Sequence, residues 1–372
     1  MKPWRPVVFF LFLALATPVV IGSTEAPALG PRGAGDSEAA ANVLVVTLDG
    51  LRWQEFFGGA DRGLLKDVDK ADPPTVVKRF WRETPEARRE ALMPFMWGVV
   101  ARQGQVFGDP AGGSVARVTN GLWFSYPGYA ELLSGFADPR VNSNDKVPNP
   151  NQTVLEFLNG RRGFAGRVAA FGAWDVLGSI LAVGRSRLPA GDGYPPVPDA
   201  RSDRERAIND FADDLPPLWE GAPLDAPIMQ AALECLRARQ PRVLYVMLGE
   251  TDEWGHEGRY DLYLDAAWRG DRFIRRLWEA AESMPAYAGK TALVVAVDHG
   301  RGATAGDWTD HGQKVPAAER ILMAVMGPGT PALGVRQGVT VTAGQLAATA
   351  AALVGEDFDA AAPKAAPPLP LR

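Results

Sequence analysis

Apolar residues occur along this chain in short, unbroken runs. Runs of this length without alternation are typical of parallel strands buried on both faces of a sheet. Four runs have this character and a fifth is weaker: Val43–Leu48, Val243–Leu248, Ala292–Val297, Ile321–Met326 and, as the weaker one, Arg167–Phe171. They predict the central sheet of an α/β protein.

Amphipathic patterns with helical spacing lie between these runs. They predict helices over Glu86–Gln103, Thr153–Leu158, Arg204–Phe211, Asp225–Arg239, Asp261–Ser283 and Ala343–Val354. Alternation of strands and helices along a chain is typical of a doubly wound, mainly parallel sheet with helices on both faces. We therefore predict that fold class.

The N-terminus has the pattern of an export signal. Basic residues precede the apolar run Val7–Ile21, which is shorter than the ~20 residues of a membrane span. Residues 1–22 are predicted to be a signal peptide, cleaved after Ala16 or after Gly22, and an uncleaved N-terminal anchor is the alternative. Both place the remainder outside the cytoplasm, periplasmic or secreted, and cleavage leaves a mature form without a membrane span.

Composition divides the remainder into a linker, one domain and a tail. Residues 23–40 are rich in Gly, Ala, Pro and Ser and predict a linker, whereas residues 360–372 are rich in Pro and Ala and predict a disordered tail. Residues 41–359 contain every predicted strand and helix, so we predict a single catalytic domain there. Within it, residues 186–227 are predicted either to cover a substrate or to serve ordinary packing.

The charge and the cysteine content of the chain each exclude one feature. The formal net charge is −5 and no basic run is present, so we predict no nucleic-acid-binding surface. The one cysteine, Cys235, excludes an intrachain disulfide.

Acidic residues follow three of the predicted strands. Asp49 comes directly after the first run, Asp298 directly after the run at 292–297, and Asp252 within four residues of the run at 243–248. In open parallel sheets, ligands bind outside the carboxyl ends of the strands. One such aspartate is commonly a turn or helix-cap residue, but three of them predict a shared site at this edge.

The three histidines of the chain lie close to these acids. His256 follows Asp252 by four residues, His299 adjoins Asp298, and His311 lies in a polar Gly- and Asp-rich loop. Mixed sets of histidine and aspartate suit zinc and related borderline metals. The pattern therefore predicts a metal site at the sheet edge.

A candidate nucleophile lies between the first and later acids. Ser125 lies two residues before Pro127, which is predicted to be the first helical residue, so a turn is predicted at the serine. Metal coordination lowers the pKa of a hydroxyl, and a serine in such a site needs no separate histidine base. A helix N-cap is the alternative role for Ser125.

In this order, Asp49, Ser125, Asp252-x3-His256, Asp298-His299 and His311 resemble the alkaline phosphatase superfamily. The nearest resemblance is to its nucleotide pyrophosphatase/phosphodiesterase branch and its small metallophosphatases. The motifs are Asp49-Gly50, Ser125-Tyr126-Pro127, Ser134-Gly135, Asp252-Glu-Trp-Gly255-His256 and Asp298-His299-Gly300, between about residues 43 and 327.

The resemblance implies two divalent cations, zinc or alternatively manganese. One would be held by Asp252, His256 and His311. The other would be held by Asp49, Asp298 and His299, with Ser125 as its nucleophilic ligand. The resemblance also implies that a phosphoryl group transfers to the serine and is then released by water.

Some positions near the nucleophile depart from that branch. Gly128-Tyr129 stands where the branch often has Asn-His. Asn142 and Asn144 are candidates for a second phosphate-contacting group, with a polar turn as the alternative. Arg301 and Arg52 are candidates for contacts with substrate oxygens or for structural roles.

The function predicted is therefore hydrolysis of a small phosphate ester, with a preference for monoesters. Alternatives are a phosphodiesterase or nucleotide pyrophosphatase, a sulfatase, and a non-catalytic envelope protein that kept the fold. Sulfatases of this fold need an arginine four residues after the nucleophile, where this chain has Tyr129. A phosphoglycerate mutase normally carries a large domain after its serine, for which this chain has too few residues.

Overall fold

A computed structural model describes residues 39–66 and 73–372, which all belong to one compact unit. Within this part of the chain the strands are β1 (Asn42–Leu48), β2 (Gly104–Phe107), β3 (Val115–Arg117), β4 (Val168–Gly172), β5 (Ala190–Asp192), β6 (Val243–Leu248), β7 (Thr291–Ala296), β8 (Met323–Met326), β9 (Gly334–Val335) and β10 (Thr340–Thr342). β3 and β10 form a small parallel pair, and the other strands form one sheet.

Helices surround this sheet. They are α1 (Trp53–Gly58), α2 (Arg62–Lys66), α3 (Pro73–Phe80), α4 (Pro85–Leu92), α5 (Ala101–Gln103), α6 (Ser125–Ser134), α7 (Val154–Asn159), α8 (Leu177–Ile180), α9 (Val183–Ser186), α10 (Asp203–Asp213), α11 (Asp225–Arg239), α12 (Glu250–His256), α13 (Tyr260–Glu282) and α14 (Gln345–Leu353). A π-helical turn spans Met96–Val100 and a 3₁₀ turn spans Pro110–Gly112.

The main sheet has the strand order β5-β4-β6-β1-β7-β8-β2-β9. The strands from β5 to β7 run parallel to one another, so their carboxyl ends meet at one edge. The register pairs Thr47 with Ala296, which brings Asp49 and Asp298 to the same level two residues further on. Topology thus places the predicted acidic site.

Burial explains why the central strands form. Every residue of β1, β6 and β7 is buried, as expected for strands covered by helices on both faces. The 23-residue helix α13 buries residues at three- and four-residue spacing. Its Gly270 lies where a Cβ would be 2.7 Å from the Leu48 side chain, which permits close packing against β1.

The predicted α/β class is confirmed, and four of the five predicted strands lie in the parallel part of the sheet. The fifth, predicted as a parallel strand over Ile321–Met326, is wrong in direction and extent. β8 begins at Met323 and runs antiparallel to both β7 and β2. An apolar run indicates that a strand is buried, but not its direction. A strand buried on both faces has the same composition whether it runs parallel or antiparallel to its neighbours.

The predicted helix Glu86–Gln103 is also wrong, because it is interrupted. α4 ends at Leu92, and Met93 adopts a non-helical conformation immediately before Pro94. A proline disfavours the helical conformation of the residue that precedes it. The chain then continues through the π-helical turn and α5 into β2.

The C-terminal tail, predicted to be disordered, is packed although it has no regular secondary structure over its last residues. Leu369 is 4% exposed, and its N–H donates to the Thr349 hydroxyl at 2.8 Å. The N–H of Ala366 donates to the carbonyl of Gly135 at 2.8 Å. The proline- and alanine-rich composition therefore indicates the lack of helix or strand in this segment, but not disorder, because backbone hydrogen bonds hold the segment in place.

The predicted signal peptide and nearly all of the predicted linker lie outside the described residues. Ala39 and Ala40 at the linker's end are described: Ala39 is exposed, whereas Ala40 is buried and its N–H donates to the Leu353 carbonyl at 2.7 Å. Residues 186–227 run from the end of α9 through β5 and α10 to the start of α11, with connecting loops, and α10 packs on α11. No helix in the described part of the chain is both long and apolar enough to cross a membrane.

Candidate active site

Four side chains converge where β1 and β7 end. The Nε2 atom of His299 lies 3.2 Å from Asp49 Oδ1, 3.4 Å from Asp298 Oδ2 and 3.2 Å from the Ser125 hydroxyl. All four residues are buried. The residues expected to share one metal are therefore within a ligand's reach of one point.

The free atoms of this cluster fit a divalent cation. Asp49 Oδ1 and Asp298 Oδ2 have no hydrogen-bond partner among the described residues, although both are buried. The other ring nitrogen of His299 lies 2.9 Å from the Gly300 carbonyl, so it carries the proton and leaves Nε2 as a free donor. Unpaired buried carboxylate oxygens beside a free imidazole nitrogen are a suitable ligand set for zinc.

A second cluster adjoins the first. His256 Nε2 lies 3.1 Å from Asp252 Oδ2 and 3.0 Å from His311 Nε2, and His311 Nε2 lies 3.8 Å from Asp252 Oδ1. Helix α12 supplies Asp252 and His256 from one face, as their spacing predicts. His311 Nδ1 lies 3.3 Å from the carbonyl of Trp123, which again leaves Nε2 free. This cluster contains the expected ligands of the other metal.

The carboxylates of the two clusters repel one another. Burial raises the pKa of Asp49 and of Asp298 well above the usual range, and the neighbouring acids raise both further. Burial is the largest single influence on Asp252 and acts in the same direction, but Arg301, His311, His256 and His299 together outweigh it, so the pKa of Asp252 lies well below its usual range. Bound cations would offset this repulsion.

The histidines differ in their tendency to be protonated. Burial lowers the pKa of His299 to about 4 and, together with the neighbouring His299, that of His311 to about 2. Burial also lowers the pKa of His256, but Asp252 outweighs it and the pKa is raised. Neutral imidazoles are the form that binds metal.

Arg301 links the ligands of the second cluster. Its guanidinium is fully buried, pairs with Asp252, and donates to the backbone carbonyls of Trp308 at 3.1 Å and of Thr309. Thr309 lies two residues before His311. Arg301 is therefore a structural residue here and does not line the cavity over the site, and neither does Arg52, which pairs with buried Glu55 at 3.2 Å.

Helix α6 presents the serine. Ser125 is its first residue and Phe124 is the N-cap, so Ser125 is not the cap and Pro127 is the third helical residue. Gly128 lies against the strand end, because a Cβ there would be only 2.3 Å from the Asp298 carbonyl oxygen. The glycine that departs from the family pattern thus allows α6 to approach the acids.

The tyrosine that follows has a role that the sequence did not indicate. Tyr129 is fully buried, and its hydroxyl donates to Asp49 Oδ2 at 3.1 Å. This bond leaves Asp49 Oδ1 directed towards His299. Tyr129 thereby orients a predicted metal ligand from the position at which a sulfatase would have its arginine.

The loop before Ser125 is held by one buried carboxylate. Glu131, on α6, accepts the N–H of Thr119 at 2.8 and 2.9 Å and the N–H and side chain of Asn120 at 3.0 and 3.1 Å. The Asn120 side chain in turn accepts the N–H of Trp123 at 2.9 Å, whose φ is +55°. This unusual conformation places the Trp123 carbonyl beside His311.

A cavity of about 210 Å³ opens over both clusters. It is lined by Asp49, Ser125, Asn144, Ala173, Trp174, Gly249, Asp252, Glu253, His256 and His311. Of the two candidate asparagines, Asn144 lines the cavity, and its side-chain amide oxygen Oδ1 accepts the Tyr126 N–H at 3.0 Å. Asn142 is exposed and does not line the cavity, so the structure brings only one of the two candidate asparagines to the site.

Among the aromatic and charged side chains that line the cavity, sequence reasoning missed two, Trp174 and Glu253. Trp174 follows β4 by two residues, so the strand-end rule that identified the aspartates would have found it. Glu253 follows Asp252 directly. Burial, followed by the charges of Asp252 and Asp49, raises its pKa to about 7.

No family model matches this sequence, and no curated protein matches it either. Solved structures do resemble it. A putative sulfatase from Bacteroides thetaiotaomicron has 14% identity and a TM-score of 0.54, and the match covers 86% of this chain and 71% of that one. The phosphonate monoester hydrolase SpPMH from Silicibacter pomeroyi has 14% identity and a TM-score of 0.52, with 87% and 75% covered.

The lipoteichoic acid synthase LtaP from Listeria monocytogenes has 11% identity and a TM-score of 0.54, with 86% and 74% covered. The chain shares the fold of these solved structures, an alkaline phosphatase-like α/β fold. At these identities the likeness concerns the fold. In an alkaline phosphatase-like fold, the sheet edge that holds both clusters is the carboxyl edge where ligands of open parallel sheets bind.

Proposed function

We propose that this protein is a metal-dependent hydrolase of small phosphate esters that uses Ser125 as its nucleophile. The observation that carries the proposal is the convergence of the Ser125 hydroxyl, His299 Nε2 and two unpaired buried carboxylate oxygens. The position of the Ser125 hydroxyl at the start of a helix and inside such a ligand set supports its proposed role as the nucleophile.

Two cations are proposed, zinc or alternatively manganese. Asp49, Asp298, His299 and Ser125 would hold one, and Asp252, His256 and His311 would hold the other. Cations bound there would supply positive charge and Lewis acidity to the reacting oxygens.

The chain's own groups suggest the course of the reaction. The Ser125 oxygen forms a bond to phosphorus while the bond from phosphorus to the leaving oxygen breaks, which gives a phosphoserine and the free alcohol. Water then attacks the phosphoserine, and inorganic phosphate leaves as the serine is regenerated. Asn144 uses its amide oxygen on the Tyr126 N–H, so its NH₂ group remains to donate to a phosphoryl oxygen.

A preference for monoesters follows from charge and size. A phosphate monoester dianion gains more from two cations than a sulfate monoanion does. The cavity volume of about 210 Å³ is below the ~300–1,000 Å³ of drug-sized ligand sites, which favours a small ester with one arm. We also propose export, because residues 1–22 have the pattern of a signal peptide.

Matched aryl phosphate, methyl aryl phosphate and aryl sulfate substrates test the substrate class. We expect kcat/KM to be highest for the aryl phosphate with the zinc-loaded protein. Ser125→Ala should remove most turnover while metal content stays near that of the wild type, and Ser125→Thr should keep part of the activity. A tenfold preference for sulfate, or wild-type rates in Ser125→Ala, would contradict the proposal.

Metal content is a separate test. Elemental analysis of the reconstituted protein should find two divalent ions per chain, and His256→Ala should lower this towards one, because the first cluster keeps its ligands. Circular dichroism provides the control that the variant is folded. Absence of bound metal after reconstitution with zinc or manganese would contradict the metal assignment.

A further inference from the structure

Glu253 is the one cavity-lining carboxylate to which the proposed chemistry assigns no task. It lies on α12 between the proposed ligands Asp252 and His256, and its side chain is half-buried in the cavity wall. Within residues 39–66 and 73–372, its carboxylate has no hydrogen bond or ion pair at contact distance. When it is ionised, an unpaired carboxylate beside the reaction centre works against an anionic substrate unless the substrate also carries a positive group.

Trp174 lines the same cavity from another element. It follows β4, whose neighbour in the sheet is β6, the strand that leads into α12. Its indole is half-buried, so part of the ring remains open to the cavity. A tryptophan face attracts an organic cation, and the attraction grows when the cation is desolvated.

We propose that Glu253 and Trp174 select phosphate monoesters whose alcohol part carries an ammonium group. The proposal rests on the proposed function and names its substrate class. The phosphate would face Ser125, and the ammonium group would pair with the carboxylate and lie against the indole. A small amino-alcohol phosphate is of a size suited to the cavity.

The alternatives are less well matched to these two side chains. A second anionic group on the substrate would face Glu253 without a compensating cation in the cavity wall. An aliphatic alcohol part would leave the carboxylate desolvated without a partner, which costs free energy. An ammonium group removes both costs.

Phosphoethanolamine and propyl phosphate are suitable probes, because they differ only in having an ammonium or a methyl group at the far end. With zinc-loaded wild-type protein we expect kcat/KM to be at least tenfold higher for phosphoethanolamine. In Glu253→Gln this ratio should fall towards one, with a lower value for phosphoethanolamine and a higher value for propyl phosphate. Trp174→Leu should lower the ratio by a smaller factor.

Glu257→Gln is the matched control, since Glu257 is exposed just beyond α12 and does not line the cavity. It should keep the wild-type ratio. Equal values for the two probes in the wild type would overturn the proposal. An equal loss on both probes in Glu253→Gln would also overturn it, because it would indicate a role in proton transfer or folding.

An aryl phosphate assayed alongside separates this inference from the proposed function. Turnover of the aryl phosphate with no preference between the two probes leaves the proposed function intact and overturns the selectivity. If no ester is turned over, the proposed function fails, and calorimetric binding of the two probes to zinc-loaded protein decides the selectivity by itself. Tighter binding of phosphoethanolamine that is lost in Glu253→Gln would support it, and equal binding would overturn it.

Discussion

His299 and His311 each direct one ring nitrogen to a backbone carbonyl and leave the other free. Such a bond fixes the tautomer and the ring orientation before any ligand arrives. The carbonyl for His311 belongs to Trp123, whose left-handed conformation depends on Asn120 and, through it, on Glu131. The orientation of the His311 imidazole therefore depends on the Glu131 carboxylate of α6.

Arg301→Met should separate the two proposed metal sites. It removes the partner of Asp252 and frees the Trp308 and Thr309 carbonyls of the loop that carries His311. We expect the bound metal to fall from two equivalents towards one after dialysis, measured by elemental analysis, because Asp49, Asp298 and His299 keep their places. Breaking a buried ion pair also costs about 3–5 kcal/mol of folding free energy.

Two further variants sharpen this test. Arg301→Lys keeps the charge but has fewer donors, so its metal content should lie between those of the wild type and Arg301→Met. Arg320→Met changes a partly exposed arginine of the same region and should keep both metals. Retention of two equivalents by Arg301→Met would show that the arginine does not position these ligands.

The proposed ligands could be predicted because their signal is local, namely acids and histidines at strand ends. Tyr129 could not be predicted, because its contact with Asp49 joins residues that are far apart in the sequence. The sequence shows an arginine, Arg301, beside the Asp298-His299-Gly300 motif. An arginine at that position fits a contact with substrate as well as a structural role, so the sequence cannot distinguish the two. Only its complete burial distinguishes the two.

At the scale of elements, α6 packs closely against the end of β7 because Gly128 has no side chain. Gly128→Ala would place a Cβ 2.3 Å from the Asp298 carbonyl, and backbone cannot move aside as a flexible side chain can. We expect the helix to shift and to carry Ser125 away from His299, so that kcat falls at least tenfold. Turnover of an aryl phosphate and the unfolding midpoint measure this together.

Gly98→Ala is the matched control, because nothing lies within 4 Å of a Cβ at that helical position. Its effect on kcat should be negligible, and alanine favours helix over glycine. If Gly128→Ala kept the wild-type kcat, then α6 and the strand end would have more freedom than their packing indicates.

Strands and helices were predicted correctly where the apolar residues follow a single strand-like or helix-like spacing. The prediction failed where a contact with a distant part of the chain interrupts the element. Pro94 is a sequence signal for the interruption of the helix predicted over 86–103. It was overlooked because the apolar residues continue at helical spacing beyond the proline. The turn after it begins with the N–H groups of Phe95 and Met96, which donate to the buried carboxylate of Asp271 on α13. A sequence pattern cannot show this cap, because Asp271 is remote along the chain.

At the scale of the whole molecule, Asp271 makes stability depend on pH. Burial raises its pKa to about 7, so its contribution to stability is fully present below the ordinary value of about 3.9 and is lost as pH rises through 7. The free energy of unfolding of Asp271→Asn relative to the wild type should therefore rise by up to about 2 kcal/mol from pH 5 to pH 8. Urea unfolding at saturating zinc measures it.

Glu279→Gln is the control for that series, since Glu279 is exposed and pairs with Arg275 on the surface of the same helix. Its difference from the wild type should stay nearly constant over this range. A constant difference for Asp271→Asn as well would contradict a raised pKa at Asp271.

The C-terminal segment connects distant parts of the molecule. Gln105 on β2 donates to the Leu371 carbonyl at 2.6 Å, and Gly135 at the end of α6 accepts from Ala366. Leu369→Ala should lower the free energy of unfolding by about 2–3 kcal/mol, because a buried leucine is replaced without refilling its space. Leu333→Ala, at a 50% exposed leucine, should stay within about 0.5 kcal/mol. Equal effects of the two substitutions in urea unfolding would mean that the segment contributes no packing, as its composition alone predicts.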